Sequence, residues 1–339
     1  MKRILVVGAG FAGATAAREL ADAGFQVHII DKRRHLAGNA FDYVNHHGIR
    51  VHKYGPHLFH TKNEDVFSFL QRFSDWVPYQ HRVKAQLSDG RYVTLPVNRE
   101  TKEIVGEEHV LDIFFRPYTK KMWGVELDEL DPSIIKRVPI RDDYNELYFP
   151  NDPFQALPVE GYTVLVRNML FHQNITIELD KAFSREMEAD YDHIFNSMPI
   201  DQYFNFSLGE LPYRSIKFHE FHLPMPLALP APVVNFTHDG PYTRVTEWKQ
   251  LTNSNNNMYM TSLTFEEPCD YRDNYQERYY PVKDVSGKNR DLYHQYVELA
   301  KENEKMTFIG RCGLYVYIDI DQAIASTQAT VRRFLKEQQ

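Results

Sequence analysis

The chain has 339 residues, of which 43% are hydrophobic and 25% are charged, which is typical of a globular protein with a sizeable buried core. Its net charge of -7 argues against general nucleic-acid binding, because that function needs a basic face. The two cysteines, Cys269 and Cys312, are too few for a disulfide framework and lack metal-ligand spacing. We therefore expect a reducing compartment, most simply the cytoplasm, and no metal.

The first forty residues predict a β-α-β unit. A continuous apolar run over residues 3–8 indicates a buried strand, and an alanine-rich helix follows from about Gly10 to Ala23. A second strand over residues 27–30 ends at Asp31, and the two strands should be parallel. Glycines interrupt the first apolar run, which is therefore not a signal peptide, and prolines interrupt the other long apolar stretch, so we expect no membrane span.

The turn after the first strand, Gly8-Ala9-Gly10-Phe11-Ala12-Gly13, fits the dinucleotide-binding pattern G-x-G-x-x-G. The glycines permit a tight turn, a close approach to the pyrophosphate and close packing of helix on strand, while Asp31 is placed to bind ribose hydroxyls. The alternative is a glycine-rich turn without a ligand. Basic and glycine residues beyond the second strand, from Lys32 to Asn39, favour FAD over NAD, because many FAD proteins hold the extended part of the cofactor there.

Downstream, the pattern predicts short strands and helices. Residues 82–87 and 91–95 alternate around Asp89-Gly90, which is typical of a β-hairpin, and residues 107–123 predict a helix. Residues 131–160 lack apolar periodicity and predict a long, mobile connection. Strands of an antiparallel sheet, then a helix, a strand and a final helix, are predicted at 215–222, 233–237, 243–248, 258–263, 292–302, 306–310 and 321–335. The last elements imply that the cofactor domain is discontinuous.

Further motifs follow in order along nearly the whole chain. They are Tyr54-Gly55-Pro56-His57-Leu58-Phe59-His60-Thr61, Arg82-Val83-Lys84-Ala85, Leu95-Pro96-Val97-Asn98, Tyr118-Thr119-Lys120-Lys121-Met122-Trp123-Gly124, Ile135-Lys136-Arg137-Val138-Pro139-Ile140-Arg141, Pro241-Tyr242-Thr243-Arg244-Val245-Thr246-Glu247, Tyr279-Tyr280-Pro281 and Gly310-Arg311 through Tyr317-Ile318-Asp319-Ile320-Asp321. With the dinucleotide motif, they make the chain resemble the UDP-galactopyranose mutase family.

The resemblance implies an α/β fold with three domains. A discontinuous Rossmann-type FAD-binding domain is expected at 1–72, 162–205 and 291–339. A small helical domain is expected at 97–161, with a mobile loop near 131–150. An antiparallel β-sheet domain that binds substrate is expected at 73–96 and 206–290.

The resemblance also implies a flavin-dependent isomerase that interconverts the pyranose and furanose forms of a nucleotide sugar, with UDP-galactose as the first candidate. In this family the N5 atom of reduced flavin is the nucleophile that attacks the anomeric carbon, so FAD must be reduced by NAD(P)H or another reductant. The protein must then position the sugar and stabilise a departing diphosphate, which suits arginines and tyrosines.

The resemblance assigns roles to individual residues. The expected catalytic residues are Arg137, Arg244 and His57. The expected substrate-binding residues are Phe114, Phe115, Tyr118, Trp123, Arg141, Tyr148, Arg214, Asn235, Tyr280 and Tyr317. The expected cofactor-binding residues are Gly8, Gly10, Phe11, Ala12, Gly13, Asp31, Lys32, Gly38, Asn39, His57, Arg311, Tyr317 and Asp319.

Each role has a simpler alternative. Arg137 is a solvated surface arginine unless its loop closes over the diphosphate, where a guanidinium can bind two phosphate oxygens. Tyr118 and Trp123 are core residues unless they form the base pocket, and Arg214 is equally well a surface residue at a strand start. His57 and His60 are spaced like metal ligands, but no third ligand lies near them in the sequence, so we reject a metal there.

The chain departs from the family pattern at several points. Ala37 replaces a usual glycine, His81 a usual asparagine, and Cys312 and Leu314 a usual leucine and threonine. Only a short polar segment, Arg99–Val110, stands where prokaryotic relatives have extra helices that form their dimer contact, so we expect a monomer or a different dimer.

The sequence leaves several functions open. UDP-N-acetylgalactosamine and dTDP-fucose are alternative substrates that the same arginines would bind. An FAD-dependent oxidoreductase of the amine-oxidase type, or a non-catalytic sugar-nucleotide binding protein, are alternatives of another class. The arginines and Tyr317 argue against the oxidoreductase, and the flavin motif argues against mere binding.

Overall fold

The computed structural model describes residues 2–129, 139–251 and 258–338. Its strands are β1 (Arg3–Val7), β2 (Gln26–Asp31), β3 (Asp42–Val44), β4 (Arg50–His52), β5 (Phe59–Thr61), β6 (Trp76–Pro78), β7 (Val83–Gln86), β8 (Tyr92–Leu95), β9 (Phe154–Pro158), β10 (Ile175–Leu179), β11 (His193–Asn196), β12 (Tyr213–Leu223), β13 (Val233–Phe236), β14 (Arg244–Glu247), β15 (Thr261–Asp270), β16 (Tyr280–Pro281) and β17 (Met306–Phe308). Its α-helices are α1 (Phe11–Asp22), α2 (Glu64–Gln71), α3 (Arg99–Val105), α4 (Arg116–Trp123), α5 (Tyr162–Leu170), α6 (Ile200–Tyr203), α7 (Lys288–Ala300), α8 (Gly310–Gly313) and α9 (Ile320–Glu337).

Five parallel strands form the first sheet, in the order β10-β2-β1-β11-β17. They come from three separate parts of the chain, which returns to this sheet after leaving it twice. The predicted discontinuous Rossmann-type fold is therefore confirmed. The strands β1, β2 and β11 are largely buried on both faces, as near-continuous apolar runs predict, whereas the edge strand β10 is largely exposed.

Helix α1 lies on this sheet between α5 and α9. Its buried face is mostly alanine, and small side chains let a helix approach a sheet closely. The limiting contact is at Gly13, where a Cβ would lie 1.8 Å from the backbone oxygen of Gly8. The third glycine of the motif thus sets the distance between helix and strand, as the sequence predicts.

Seven strands form the second sheet, in the order β16-β12-β15-β14-β13-β7-β8. Its longest pair joins β12 to β15 in an antiparallel register that runs from Arg214 opposite Asp270 to Leu223 opposite Thr261. The pair β13–β7 is parallel, so the sheet is mixed rather than purely antiparallel. These two strands are far apart in the chain, and no hairpin constrains their direction.

Several local predictions need correction. A strand, β9, lies within the predicted connection 131–160 and pairs with β5 and β6, and a helix, α3, lies in the segment predicted to be merely polar. The predicted helix 107–123 is a 3-10 turn, a π-helical turn (Leu111–Phe115) and α4. Pro117 in the first turn of α4 lacks the N–H that would continue the preceding turn. No helix of the described residues is long and apolar enough to cross a membrane.

The β3–β4 hairpin is fastened to α5 by Asp42. The buried carboxylate of Asp42 accepts hydrogen bonds from the amides of Tyr162 (3.1 Å) and Thr163 (2.8 Å) and from Arg50 Nη1 (3.1 Å). Gly161 makes room for this contact, because a Cβ on it would lie 1.9 Å from Asp42 Oδ2. The hairpin that leads to His57 is therefore fixed in place by a buried, fully bonded carboxylate.

Gly161→Ala should destabilise the protein more than Gly24→Ala. Both glycines have a positive φ (+86° and +91°), and Gly161, with a ψ of 170°, lies in a region essentially confined to glycine, whereas a Cβ on Gly24 meets nothing within 4 Å. The clash with Asp42 should add at least about 2 kcal/mol for Gly161→Ala, measured by urea unfolding. Equal losses in the two variants would show that Gly161 is not packed tightly against Asp42.

Candidate active site

A cavity of about 300 Å³ lies at the carboxyl ends of β1, β2 and β11, beside the N-termini of α1 and α9. Ligands of open parallel sheets bind at this edge, where helix N-termini favour negative charge. All the predicted cofactor residues except Tyr317 line it: Gly8, Gly10, Phe11, Ala12, Gly13, Asp31, Lys32, Gly38, Asn39, His57, Arg311 and Asp319. The structure thus brings residues from both ends of the chain to one cavity.

Two glycine backbones face each other at the wall of this cavity. A Cβ on Gly38 would lie 3.0 Å from the Cα of Gly10, so the two backbones are in close contact and any larger residue at position 38 would push them apart. Ala37, beside them, has a left-handed φ of +69°, where glycine is favoured. The alanine at position 37, where the family usually has glycine, costs about 1–2 kcal/mol of backbone strain but leaves the contact of Gly10 with Gly38 intact. Gly10 and Gly38 thus form a side-chain-free cradle on the cavity wall, which a pyrophosphate can approach closely.

Asp31 closes the turn at the end of β2. Its carboxylate accepts hydrogen bonds from the amides of Ala9 (2.7 Å) and Arg33 (2.8 Å), one on each oxygen. A carboxylate oxygen has a second lone pair, so Asp31 can bind a ribose hydroxyl while it holds the turn. Arg33, which also lines the cavity, pairs with Glu277 and donates to Asn39 Oδ1 (2.9 Å).

His57 is a neutral side chain on the cavity wall. Its Nδ1 lies 2.9 Å from the carbonyl oxygen of Gly55, which can only accept, so we assign the proton to Nδ1 and leave Nε2 as an acceptor. Burial, reinforced by the neighbouring His52, lowers the pKa of His57 to about 3. His57 therefore offers a ligand an acceptor nitrogen and no charge at neutral pH.

Arg311 links the cavity to a group of aromatic side chains. It lines the cavity, donates two hydrogen bonds to the carbonyl of Ile318 (3.2 and 2.6 Å), and lies over the rings of Tyr280 (5.4 Å) and Tyr317 (5.2 Å). Trp123, at the end of α4, contacts both tyrosines edge-on. Predicted cofactor and substrate residues are therefore contiguous.

One cross-strand row of the second sheet carries the polar part of this region. Asn235 on β13 is opposite Arg244 on β14, which is opposite Glu266 on β15, which is opposite Phe218 on β12. Directly opposite residues point to the same face of an antiparallel pair, so the row faces one side. Asn235 Oδ1 and Glu266 Oε1 are buried without a hydrogen-bond partner among the described residues. Buried acceptors of this kind are explained by a ligand or by water.

Arg244 and Glu266 form an ion pair, with 2.9 Å between Arg244 Nε and Glu266 Oε2; the carboxylate is buried, whereas 26% of the arginine side chain is exposed. Burial acts to lower the pKa of Arg244, but the carboxylate of Glu266 more than offsets it, so the pKa is raised and the guanidinium stays charged. Burial raises the pKa of Glu266, and Arg244 opposes that shift. The pair places a fixed, partly desolvated cation at this site.

Tyrosines from three other elements surround this cation. Tyr118 on α4, Tyr148 and Tyr280 all lie close enough to Arg244 to interact with its charge. Burial raises the pKa of Tyr118 and of Tyr280, so both hydroxyls remain protonated donors. Phe114 and Phe115 lie in an apolar cluster with residues of β7, β8 and β13.

Two of the predicted arginines are engaged with backbone. Arg214 donates to the carbonyls of Met122 (2.7 Å) and Lys121 (3.2 Å) at the C-terminal end of α4, so it caps the helix that carries Trp123. Arg141 donates to the carbonyls of Leu147 and Asn145 within its own loop. Arg137 lies outside the described residues.

Sequence reasoning missed Glu266, Arg33 and the residues at the end of β11. Glu266 had no local signal, because only the register of β14 and β15 brings it to Arg244. Ser197, Met198 and Pro199 follow a parallel strand and line the cavity. The rule that ligands bind beyond the carboxyl ends of such strands would have found them.

His81 is a buried neutral histidine beside this site. Its Nδ1 is 3.0 Å from the hydroxyl of Tyr79, and its carbonyl accepts from the amide of Tyr148 (2.8 Å). Burial, aided by the charge of Arg244, lowers the pKa of His81 to about 3. The histidine that replaces the usual asparagine is therefore still a polar, uncharged group next to the charge of Arg244.

Comparison with known proteins gives consistent matches. A family model described as UDP-galactopyranose mutase matches residues 113–317, and one described as an NAD(P)-binding Rossmann-like domain matches residues 6–73. A probable UDP-galactopyranose mutase of Klebsiella pneumoniae is 34% identical, with 98% of this chain and 95% of that protein covered. A dTDP-fucopyranose mutase of Escherichia coli is 35% identical, with 99% of each covered. These alignments span 370 and 381 positions, so the relatives have residues that this chain of 339 lacks.

Solved structures share the fold at low sequence identity. A crystal structure of reduced UDP-galactopyranose mutase has a TM-score of 0.77 at 16% identity, covering 99% of this chain and 96% of that one. A putrescine oxidase variant has a TM-score of 0.58 at 12% identity, covering 99% of each chain. The second likeness shows that the same overall fold also serves amine oxidation.

His81→Asn should make the protein less sensitive to acid. Unfolded His81 binds a proton near its ordinary pKa of 6.5, whereas folded His81 does so only near 3, so stability falls as the pH drops through this window. Between pH 7 and pH 5, the wild type should lose about 2 kcal/mol more than the variant in urea unfolding. His219→Asn, at a half-exposed histidine, serves as the control. Identical losses in His81→Asn and the wild type would contradict the buried neutral state.

Proposed function

The chain belongs to the UDP-galactopyranose mutase family, and from that premise we propose that it is a flavin-dependent isomerase that interconverts the pyranose and furanose forms of a nucleotide sugar, with UDP-galactose as its first substrate. The observation that carries the proposal is the continuity of the dinucleotide cavity with Arg244, through Arg311, Tyr280 and Tyr317. A cofactor and a sugar diphosphate can therefore bind side by side.

FAD is the proposed cofactor. The cradle of Gly10 and Gly38 fits the pyrophosphate, Asp31 the ribose, and Arg311, His57 and the N-terminus of α9 the far end of an extended dinucleotide. When bound and reduced by NAD(P)H or another reductant, the flavin supplies the nucleophile for the anomeric carbon. The neutral His57 positions the cofactor by accepting a hydrogen bond at Nε2.

Arg244 is the proposed electrostatic catalyst. When the bond between the sugar and the nucleoside diphosphate breaks, negative charge develops on the leaving diphosphate, and a fixed, partly desolvated guanidinium stabilises that charge strongly. Because Glu266 holds the guanidinium in advance, little reorganisation is needed during the reaction. Tyr118, Tyr148 and Tyr280 add hydroxyl donors, and Arg137 is proposed, on the resemblance alone, as the second diphosphate cation.

The remaining predicted residues act around this centre. Asn235, whose amide oxygen is buried and unpartnered among the described residues, is proposed to accept a hydrogen bond from the nucleotide. Trp123 is proposed to contact the base or ribose, and Arg214 to position Trp123 through the end of α4. Water is excluded by the aromatic group itself.

A dTDP-linked fucose is the second candidate substrate, because the dTDP-fucopyranose mutase is as similar to this chain as the Klebsiella relative. The decisive experiment incubates the purified protein with UDP-galactofuranose, dTDP-fucofuranose and UDP-N-acetylgalactosamine in its furanose form, with and without dithionite, and separates the products. We expect isomerisation of UDP-galactofuranose only with dithionite. Failure with every nucleotide sugar, combined with oxidation of amines, would support the amine-oxidase alternative instead.

Arg244→Lys should lower kcat/KM by about 10- to 100-fold while FAD remains bound, because lysine keeps the charge beside Glu266 but cannot bind two phosphate oxygens. Arg116→Lys, on the exposed side of α4, is the matched control and should have wild-type activity. Absorbance of the bound flavin checks that the cofactor is retained. Wild-type turnover in Arg244→Lys would remove this residue from the mechanism.

We propose that the protein is a monomer, because the relatives have residues that this chain lacks and the segment 99–125 retains only α3 and α4 with the turns between them. Sedimentation equilibrium should give the mass of one chain, 39.9 kDa. A stable dimer that is lost on charge substitution of exposed Leu111 would place a dimer contact in this segment and overturn the proposal.

A further inference from the structure

Three histidines meet away from the cofactor cavity and the Arg244 row. His46 and His47 lie in the turn between β3 and β4, and His222 lies on β12. Their potential ligand nitrogens all lie within 4.8 Å of one another, and the ring centroids are 3.8 to 4.9 Å apart. Among the described residues, no other group of three or more histidine, cysteine or acidic residues brings its potential ligand atoms this close together.

The surrounding hydrogen bonds fix the turn that carries His46 and His47 and the ring of His222. Asn45 Oδ1 accepts from the amides of His47 and Ile49 (3.0 Å each), which fixes the turn. Asn45 Nδ2 donates to Ser262 Oγ (2.9 Å), and the same Ser262 Oγ is 2.9 Å from His222 Nδ1. A bond at Nδ1 leaves Nε2 of His222 for another partner. Histidines that bind metals usually have their second nitrogen fixed in this way.

A carboxylate lies next to the trio. Glu220 Oε1 is 3.8 Å from His222 Nε2, and Glu220 is itself fixed by the hydroxyl of Tyr43 (2.6 Å) and by Asn45. Glu220 and His222 are two residues apart on β12 and so point to the same face of the sheet. The site therefore combines three imidazoles with a nearby negative charge, which favours a cation.

We propose that His46, His47 and His222 bind one divalent transition-metal ion, with zinc as the reference ion. Three nitrogens at about 2.0–2.1 Å from a tetrahedral zinc lie about 3.3–3.4 Å from one another, so the present spacing must close by about 1.5 Å at most. Small side-chain rotations achieve this, since His46 is exposed at the tip of a turn. Imidazole ligands select zinc, copper or nickel over magnesium and calcium, and water or Glu220 completes the coordination.

The ion would join two distant parts of the chain. It ties the tip of the β3–β4 hairpin to β12, and β4 continues through His52 and Gly55 to His57 on the cavity wall. Because the site forms only in the folded protein, the metal stabilises the folded state by mass action. This role is separate from the proposed catalysis, and its test does not depend on activity.

The test is a zinc titration of the untagged, chelator-treated full chain by isothermal titration calorimetry. We expect one zinc per chain in the wild type, at least about 100-fold weaker binding in His46→Ala and in His222→Ala, and no binding of magnesium. His219→Ala is the matched control, because His219 is on the same strand but points to the opposite face, and its binding should equal that of the wild type. Absence of stoichiometric binding, or equal binding in the wild type and His46→Ala, would overturn the proposal.

Thermal unfolding provides a second readout. Zinc should raise the Tm of the wild type and of His219→Ala, and should leave the Tm of His46→Ala unchanged. His46 is exposed in a turn, so this variant is expected to fold, and a null result cannot be attributed to unfolding. A zinc-dependent rise in Tm that persists in His46→Ala would place the metal elsewhere and reject this site.

Discussion

The register of β14 against β15 holds a guanidinium and a carboxylate, Arg244 and Glu266, side by side on the buried face of the second sheet. The buried carboxylate of Glu266 depends on Arg244, because removing the partner of a buried charge leaves that charge uncompensated, at a cost of about 3–5 kcal/mol. The same pairing holds the cation in place before any ligand arrives. The electrostatics of the whole site therefore follow from how two strands are aligned.

The second constraint is the close approach of backbone segments around the cofactor cavity. Gly13 sets the distance between α1 and β1, and Gly10 and Gly38 bring two backbone segments into contact at the cavity wall. Gly55 plays the corresponding part between the two sheets, since a Cβ there would lie 3.1 Å from Glu266 Oε1. Through Gly55, the segment that carries His57 packs directly against the ion pair. Cavity and ion pair are thus parts of one packed unit.

The sequence predicts the features that depend on residues close together in the chain, and it misses those that depend on residues far apart. The β-α-β unit, the Gly8–Gly13 turn and the hairpin at Asp89-Gly90 depend on neighbouring residues, and the structure has them where the pattern indicates. Strand β9 escapes the pattern because its partners, β5 and β6, lie far away in the chain. Glu266 and the capping role of Arg214 escape for the same reason, since each is defined by a partner on another element. Arg244 itself is found only because a motif marks it.

The histidine trio illustrates the same limit and also shows how the two sites are related. His46 and His47 are adjacent, but their third member is on β12, so sequence spacing gives no sign of a metal site. On β12, His222 shares a face with Glu220 and with Phe218, which ends the Arg244 row. A slip of one residue in β12 would turn all three to the opposite face. The long β12–β15 ladder therefore fixes both the trio and the row, and the β3–β4 hairpin, fastened at Asp42, lies between the trio and His57. A metal ion bound to the trio would hold this hairpin in the position that places His57 on the wall of the cofactor cavity. Metal binding and cofactor binding would therefore favour the same conformation of the hairpin.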